Sequence, residues 1–115
     1  MPRIPRQQYL QPNGYYHIIS RSINQMKIFQ HPVDFEQFRI LAHEAKKRFP
    51  LRLFHYVFMS THFHLVVQII DPTDLSAHLG YLKWQYTQWM KTRYGWKGPL
   101  WRERYRSLPI ENEEY

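Results

Sequence analysis

The sequence contains no cysteine, so it has neither a disulfide framework nor a thiolate zinc site. It also lacks any run that approaches the roughly 20 apolar residues of a membrane-spanning helix. The first six residues, MPRIPR, lack the apolar segment of a secretory signal peptide. Together these absences predict a cytoplasmic protein that is not embedded in a membrane.

Acidic residues are also scarce in this sequence. Lysine and arginine number 16 against 9 aspartates and glutamates, which gives a formal net charge of +7. Such an excess on a small domain favours a polyanionic partner, most often nucleic acid. The imbalance is greatest between Lys83 and Arg106, where seven basic residues accompany one acid, Glu103. Seven Trp and Tyr residues are interleaved with these cations, a composition typical of surfaces that bind single-stranded nucleic acid.

A length of 115 residues with 43% apolar content predicts a single globular domain over residues 1–115. Residues 1–14 are expected to form a flexible basic arm that ends in the turn-forming triplet Pro12-Asn13-Gly14. The elements predicted after the arm are a strand over 15–20, a helix from Asp34 to Phe49 with a capping box completed by Gln37, strands over 51–59 and 62–70, a helix that starts at Thr73 or Asp74 and ends before Gly95, and a strand over 101–110.

This order of elements predicts an α+β fold, namely a ferredoxin-like antiparallel sheet with two helices packed on one face. Side chains alternate between the two faces of a strand. The apolar positions of the strand over 62–70 therefore share one face: Phe63, Leu65, Val67 and Ile69. Each helix carries an apolar stripe that can cover this face, and the second stripe includes Tyr86 and Trp89, which weakens their case as stacking residues. The strand over 62–70 is expected to be central, with its other face open.

His62 and His64 stand at the start of this strand, on the face opposite the apolar one. Their Cα atoms are expected roughly 7 Å apart, because residues i and i+2 of a strand share a face. Two parallel neutral imidazoles suit one divalent metal ion, whereas the alternative is a pair of ordinary surface histidines. Gln68 shares their face as a possible further ligand. His17 and His55 are interpreted as structural histidines, with a supporting role behind the metal ligands as the alternative.

Four segments, in order along the chain, match a known family: Gly14-Tyr15-Tyr16-His17-Ile18-Ile19-Ser20-Arg21, Ile28-Phe29, His62-Phe63-His64 after Met59, and Gly98-Pro99-Leu100-Trp101-Arg102-Glu103-Arg104-Tyr105. The chain resembles the single-tyrosine HUH transposases, and within them the REP-associated tyrosine transposases of bacteria, which are of the IS200-like type. The resemblance covers essentially the whole chain. It departs at Ser60-Thr61, where the family usually has Pro-Asn, another pair of turn formers.

The resemblance implies a transposase that cleaves and rejoins single-stranded or hairpin DNA. His62 and His64 would hold Mg²⁺ or Mn²⁺ to polarise the scissile phosphate, and a tyrosine would attack it to form a 5′-phosphotyrosine intermediate. In the family this tyrosine lies on a helix after the Trp-containing strand, in a Tyr-x-x-x-Asn-Pro-like segment. No such segment is present up to Tyr115. We therefore expect the catalytic helix to be truncated and the nucleophile to lie beyond Tyr115, with Tyr115 itself as the alternative nucleophile.

Six arginines are expected at the DNA surface: Arg3, Arg6, Arg21, Arg102, Arg104 and Arg106. Arg3 and Arg6 lie in the basic arm, where simple solvation is the alternative. The last three alternate along the predicted strand over 101–110, so they would share one face and repel one another unless an anion compensates them. A structural ion pair is the alternative role for Arg104.

Two other functions remain open from the sequence. One is a non-catalytic module of the same fold that binds hairpin DNA, which differs from the enzyme in forming no covalent protein–DNA adduct. The other is a ferredoxin-like RNA-binding domain, which predicts aromatic residues on the open sheet face and no dependence on divalent ions. The sequence also leaves open whether the protein is a monomer or a dimer, and which DNA it recognises.

Overall fold

The computed structural model describes residues 10–102 and 105–110. Its elements, in chain order, are β1 (Tyr15–Arg21), a 3-10 turn (Ile23–Gln25), α1 (Pro32–Arg48), β2 (Leu51–Met59), β3 (His62–Ile69), α2 (Pro72–Tyr94) and β4 (Arg106–Pro109). Four of the predicted site residues lie outside the described residues: Arg3, Arg6, Arg104 and Tyr115. Within the described part of the chain, neither helix combines the length and apolarity that crossing a membrane requires.

The four strands form one sheet in the order β2-β3-β1-β4, and every neighbouring pair is antiparallel. This is the strand order of a ferredoxin-like β-α-β-β-α-β unit, so the predicted α+β fold is confirmed. The strand β3 lies between β2 and β1, which places His62 and His64 in the interior of the sheet and not at an edge.

The hydrophobic core lies on one face of the sheet, beneath the two helices. The four apolar residues predicted to share a face of β3 are all buried, and Tyr16 and Ile18 of β1 join them. Helix α1 contributes Phe38 and Ala45 to the same core. Helix α2 contributes Leu75, Leu79, Leu82, Tyr86 and Met90. Because the core occupies only this side, the opposite face of the sheet is left uncovered by helices.

Helix α1 begins earlier than the sequence predicts, at Pro32 rather than at Asp34. Proline is favoured at the first helical position because its fixed φ suits the helix and its missing N–H is not needed there. Asp34 therefore lies in the first turn, where its carboxylate accepts hydrogen bonds from the backbone N–H groups of Gln30 and His31. The predicted capping box of Asp34 with Gln37 is wrong, because Asp34 reaches back to the residues before the helix.

Helix α2 shows the same displacement. It begins at Pro72, and its N-cap is Asp71 instead of Thr73 or Asp74. The Asp71 carboxylate accepts hydrogen bonds from the backbone N–H and the hydroxyl of Thr73, at 3.0 and 2.8 Å. The residue before a proline is held in an extended conformation, which is the conformation an N-cap needs.

The fourth strand is shorter than predicted. β4 pairs with β1 only over Arg106–Pro109, and an isolated bridge joins Trp101 to Ser22. Five positions separate Trp101 from Arg106, whereas only three separate their β1-side partners Ile19 and Ser22. The ladder cannot stay in register with two additional residues on one side. The prediction of one regular strand over 101–110 is therefore wrong, and Arg104, one of the three arginines assigned to a shared face of that strand, lies outside the described residues.

Candidate functional site

His62 and His64 lie side by side on the open face of the sheet, as their spacing predicts. Their ring centroids are 4.9 Å apart and their planes are 73° from parallel. Both side chains are half-buried, while Phe63 between them points into the core and is fully buried. The alternation of β3 therefore presents two adjacent imidazoles to whatever binds the open face.

A third histidine joins this pair from β1. His17 is the Cα partner of Val66, so it shares the open face. Its Nε2 lies 2.8 Å from Nδ1 of His64, and the two ring centroids are 5.0 Å apart. The sequence predicts His17 as a structural histidine or as a residue that supports the metal ligands, because the local sequence does not show that β1 pairs with β3.

Thr61 is the corresponding hydrogen-bonding neighbour of His62. Its hydroxyl oxygen lies 3.2 Å from Nδ1 of His62, in the turn where the chain departs from the usual Pro-Asn of the resembled family. Both adjacent histidines therefore have Nδ1 within hydrogen-bonding distance of a neighbour. In a neutral imidazole held in this way, Nε2 is the nitrogen suited to bind a metal.

The electrostatic surroundings favour neutral imidazoles at this site. Partial burial lowers the pKa of His62, and the positive charge of Arg21 lowers it further. Partial burial likewise lowers the pKa of His64, followed by the effects of His17, His62 and Arg21. A metal-binding imidazole must be deprotonated, so both shifts keep the pair ready for a cation at neutral pH.

Gln68 and His55 share the open face but lie elsewhere on it. Gln68 follows His64 by four residues on β3, a separation of about 13 Å along a strand. Its amide donates to the carbonyl oxygen of Asn13 at 3.1 Å. The interpretation of Gln68 as a ligand of the same ion as His62 and His64 is therefore wrong. His55 is the Cα partner of Val66 on the β2 side.

Backbone pairing places three of the predicted arginines in the neighbourhood of the histidine pair. Arg21 is the Cα partner of His62. Arg106 pairs with Ile19, which in turn pairs with His64. The backbone N–H of Arg102 donates to the carbonyl oxygen of Arg21 at 2.9 Å. Each arginine is positioned by a different backbone pairing, and not by one shared strand.

Charge is divided between the strands and the helices. None of the four strands contains an Asp or a Glu. The acids of the described residues lie on the helices or at the cap of α2: Asp34, Glu36, Glu44, Asp71 and Asp74. The open face adds Arg52, the Cα partner of Gln68, to Arg21 and Arg106. This face therefore presents cations and imidazoles without carboxylates from its own strands.

The aromatic residues of the C-terminal third are mostly structural. Tyr86 is buried and its hydroxyl donates to the carbonyl oxygen of Ile28. Trp89 stacks on Tyr86. The indole of Trp101 donates to the carbonyl oxygen of Lys83 at 3.1 Å, and Tyr105 is buried. The positions predicted for Tyr86 and Trp89 in the buried stripe of the helix are confirmed, whereas the base-stacking interpretation is wrong for Trp101 and Tyr105, which pack in the core or against it.

Comparison with known proteins finds a family match over nearly the whole chain. Residues 11–115 match a protein family described as transposase IS200 like. A search of curated proteins gives no significant match.

Two solved structures share the fold. One is a REP-associated tyrosine transposase bound to a REP hairpin, with a TM-score of 0.76 and 18% identity over 99% of this chain. This chain spans 65% of the length of that transposase. The other is a candidate transposase from Deinococcus radiodurans, with a TM-score of 0.69 and 14% identity over 96% of this chain and 89% of that chain. At these identities the likeness shows the fold, whereas the family match covers nearly all residues: the chain belongs to the IS200-like transposase family.

Proposed function

We propose that this chain acts as a transposase that binds single-stranded or hairpin DNA and cleaves it with a divalent metal ion at His62 and His64. Membership of the IS200-like family supports the reaction class. A structural relative with the same fold is bound to a REP hairpin, which supports a hairpin substrate. The observation that carries the proposal is the adjacent pair of imidazoles on an open face lined by arginines.

The donor set fits a divalent ion that also binds substrate. No group of three or more His, Asp or Glu side chains suited to hold a metal is present among residues 10–102 and 105–110. The chain therefore offers His62 and His64 through Nε2, and oxygen ligands would come from water and a DNA phosphate. Mg²⁺ retains water and phosphate ligands readily, and Mg²⁺ or Mn²⁺ is the ion we expect. When bound, such an ion supplies Lewis-acid polarisation of the phosphate.

The neighbouring arginines are assigned to the DNA backbone. Arg21 lies beside His62, and Arg106 lies in the cross-strand row of His64. Guanidinium groups bind phosphate oxygens in a bidentate manner, so these residues hold the scissile phosphate and its neighbour against the sheet. Arg3, Arg6 and Arg104 are proposed for the same surface on sequence grounds alone.

Covalent chemistry requires a tyrosine nucleophile. Its hydroxyl attacks phosphorus, the bond from phosphorus to the 3′ oxygen breaks, and the products are a 5′-phosphotyrosine and a free 3′-OH. Tyr115 lies outside the described residues. It remains the alternative to a nucleophile beyond residue 115.

The test uses the protein, Mn²⁺ and a hairpin DNA with a single-stranded flank, labelled at its 3′ end. A labelled band at the combined mass of protein and DNA on a denaturing gel is the expected result for the full reaction, and Tyr115→Phe then reports whether Tyr115 is the nucleophile. Hairpin binding on a native gel with no adduct would instead support the non-catalytic binding module. Absence of both binding and adduct would contradict the proposed function.

A further inference from the structure

Two exposed aromatic rings meet on the open face of the sheet, away from the histidines. Tyr15 begins β1 and Phe54 lies in β2, yet their ring centroids are only 5.6 Å apart and the planes are 44° from parallel. Tyr15 is 43% exposed and Phe54 is 57% exposed. The rings reach towards each other across β3, at the level of Gln68, which is the Cα partner of both Tyr15 and Arg52. We name these two residues the aromatic pair.

A β-bulge explains how Phe54 comes to this position. Leu53 pairs with Val67 and His55 pairs with Val66, so Phe54 is one additional residue on β2. A bulge interrupts the strict alternation of a strand and re-aims the side chain of the additional residue. Here the bulge places the apolar ring of Phe54 against Tyr15 on the solvent-exposed face, so the ring does not contribute to the hydrophobic core. An exposed pair of rings indicates a binding surface, because apolar side chains are stabilised by burial and these two would be buried by a partner.

The aromatic pair lies on the same face as the metal-binding candidates. Gln68, which marks its level, follows His64 by four residues, about 13 Å along β3. This distance is too long for a base on the aromatic pair to belong to the nucleotide whose phosphate lies at His64. It suits a neighbouring nucleotide of the same strand.

The charges around the aromatic pair select the kind of partner. Arg52 lies at the same level of the sheet, and the strands carry no Asp or Glu. Single-stranded DNA combines phosphates with flat, exposed bases, and proteins bind it with cations and stacked aromatic side chains. We infer that the aromatic pair stacks on one base of the single-stranded flank while Arg52 binds an adjacent phosphate. This inference rests on the proposed function, because the flank must cross the open face to reach His62 and His64.

The test measures binding without divalent metal, by fluorescence anisotropy of a hairpin DNA with a single-stranded flank. The variants are Phe54→Leu and Tyr15→Leu, which keep an apolar side chain and remove the ring. The matched control is Tyr56→Leu, because Tyr56 is also exposed on β2 but pairs with buried Leu65 on the helix-covered face. Each protein is titrated with the intact flank, with flanks that carry one abasic site at successive positions, with the hairpin alone and with an RNA flank of the same sequence.

Both ring variants should bind the flanked hairpin at least fivefold more weakly than the unaltered protein does. Tyr56→Leu should bind the flanked hairpin with unchanged affinity, and all variants should bind the hairpin alone with unchanged affinity. At one flank position the abasic site should weaken binding of the unaltered protein and leave Phe54→Leu unaffected, which couples that base to the ring. Equal affinity of all variants for the intact flank, with binding retained, would overturn the stacking role and leave the proposed function standing. Tighter binding of the RNA flank would also overturn it. Failure of the unaltered protein to bind any flanked hairpin would overturn the proposed function as well.

Discussion

At the scale of single residues, the site depends on which nitrogen of each imidazole faces a ligand. His64 can bind a metal through Nε2 only if its proton is on Nδ1, which then donates to Nε2 of His17. The same condition holds for His62, whose Nδ1 would then donate to the hydroxyl oxygen of Thr61. Partners of this kind fix the tautomer and the orientation of metal-binding histidines. If His64 binds a metal as proposed, His17 is a positioning residue for it.

Replacing His17 tests this role. His17→Leu should weaken Mn²⁺ binding by roughly 10- to 100-fold, because Nδ1 of His64 loses its acceptor. His17→Gln should recover much of the affinity, since its amide oxygen can accept the same hydrogen bond. Calorimetry gives the affinity, and ¹⁵N chemical shifts of the His64 ring report its tautomer.

His55→Leu is the control, because His55 shares the open face on the other neighbouring strand. The positioning role would be contradicted if His17→Leu and His55→Leu had the same effect, or if the His64 tautomer did not change in His17→Leu.

The sequence predicted the adjacent histidines but not their partners. Alternation along one strand is a local property, so it placed His62 and His64 together with only their own segment in view. The contact with His17 joins residues 47 positions apart and depends on the strand order. The direction of the Phe54 side chain does not follow from the sequence for a related reason, because a bulge interrupts the alternation along β2.

At the scale of elements, proline marks the helix starts. Both α1 and α2 begin at a proline, and in each case the sequence offered acidic or hydroxyl residues slightly downstream as caps. The buried stripes of the helices and the limits of β3 follow closely from periodicity, because burial repeats at every turn of a helix and at every second residue of β3. The limits of β2 also match the prediction, although most of its residues are exposed. The position of an N-cap depends on a single residue. A proline at the first helical position therefore moves the N-cap to the residue directly before it.

Asp34 is the polar group on which the start of α1 depends. Its carboxylate accepts hydrogen bonds from Gln30, His31 and the hydroxyl of Tyr94. Asp34→Ala should lower the free energy of unfolding by about 1–3 kcal/mol, measured by urea unfolding followed by circular dichroism. Glu36→Ala is the matched control, because the hydrogen bonds and the ion pair of Glu36 among the described residues go to exposed Arg39 and their loss should have little effect. Equal losses in both variants would contradict the role assigned to Asp34.

The same carboxylate predicts a pH dependence. Burial by itself raises the pKa of Asp34, but the hydrogen bonds from Tyr94, Gln30 and His31 outweigh it, so the net pKa lies below its ordinary value of 3.8. The stabilisation is therefore complete above that value and is lost as the pH falls through the lower pKa of the folded state. The difference in stability between the unaltered protein and Asp34→Ala should shrink under acid conditions. A difference that stays constant from neutral pH to pH 3 would contradict this assignment.

At the scale of the whole molecule, the two faces of the sheet differ in their roles: one forms the core and the other carries the candidate site. One face of the sheet packs on the helices and holds the core, and the helices and the cap of α2 carry the acids of the described residues. The other face gathers the histidines, three arginines and the aromatic pair. A polyanion is attracted to such a face at long range and released by salt. The site thus follows from the ferredoxin-like topology, which leaves this face uncovered.

The central claim is that His62 and His64 form the metal site of this face, and Mn²⁺ binding measured by calorimetry tests it most directly. The unaltered protein and the His55→Ala control should bind Mn²⁺ with equal affinity, whereas His62→Ala and His64→Ala should each abolish specific binding. All four proteins should show the same circular dichroism spectrum, since the replaced side chains lie outside the core. Unchanged Mn²⁺ affinity in His64→Ala would contradict the account.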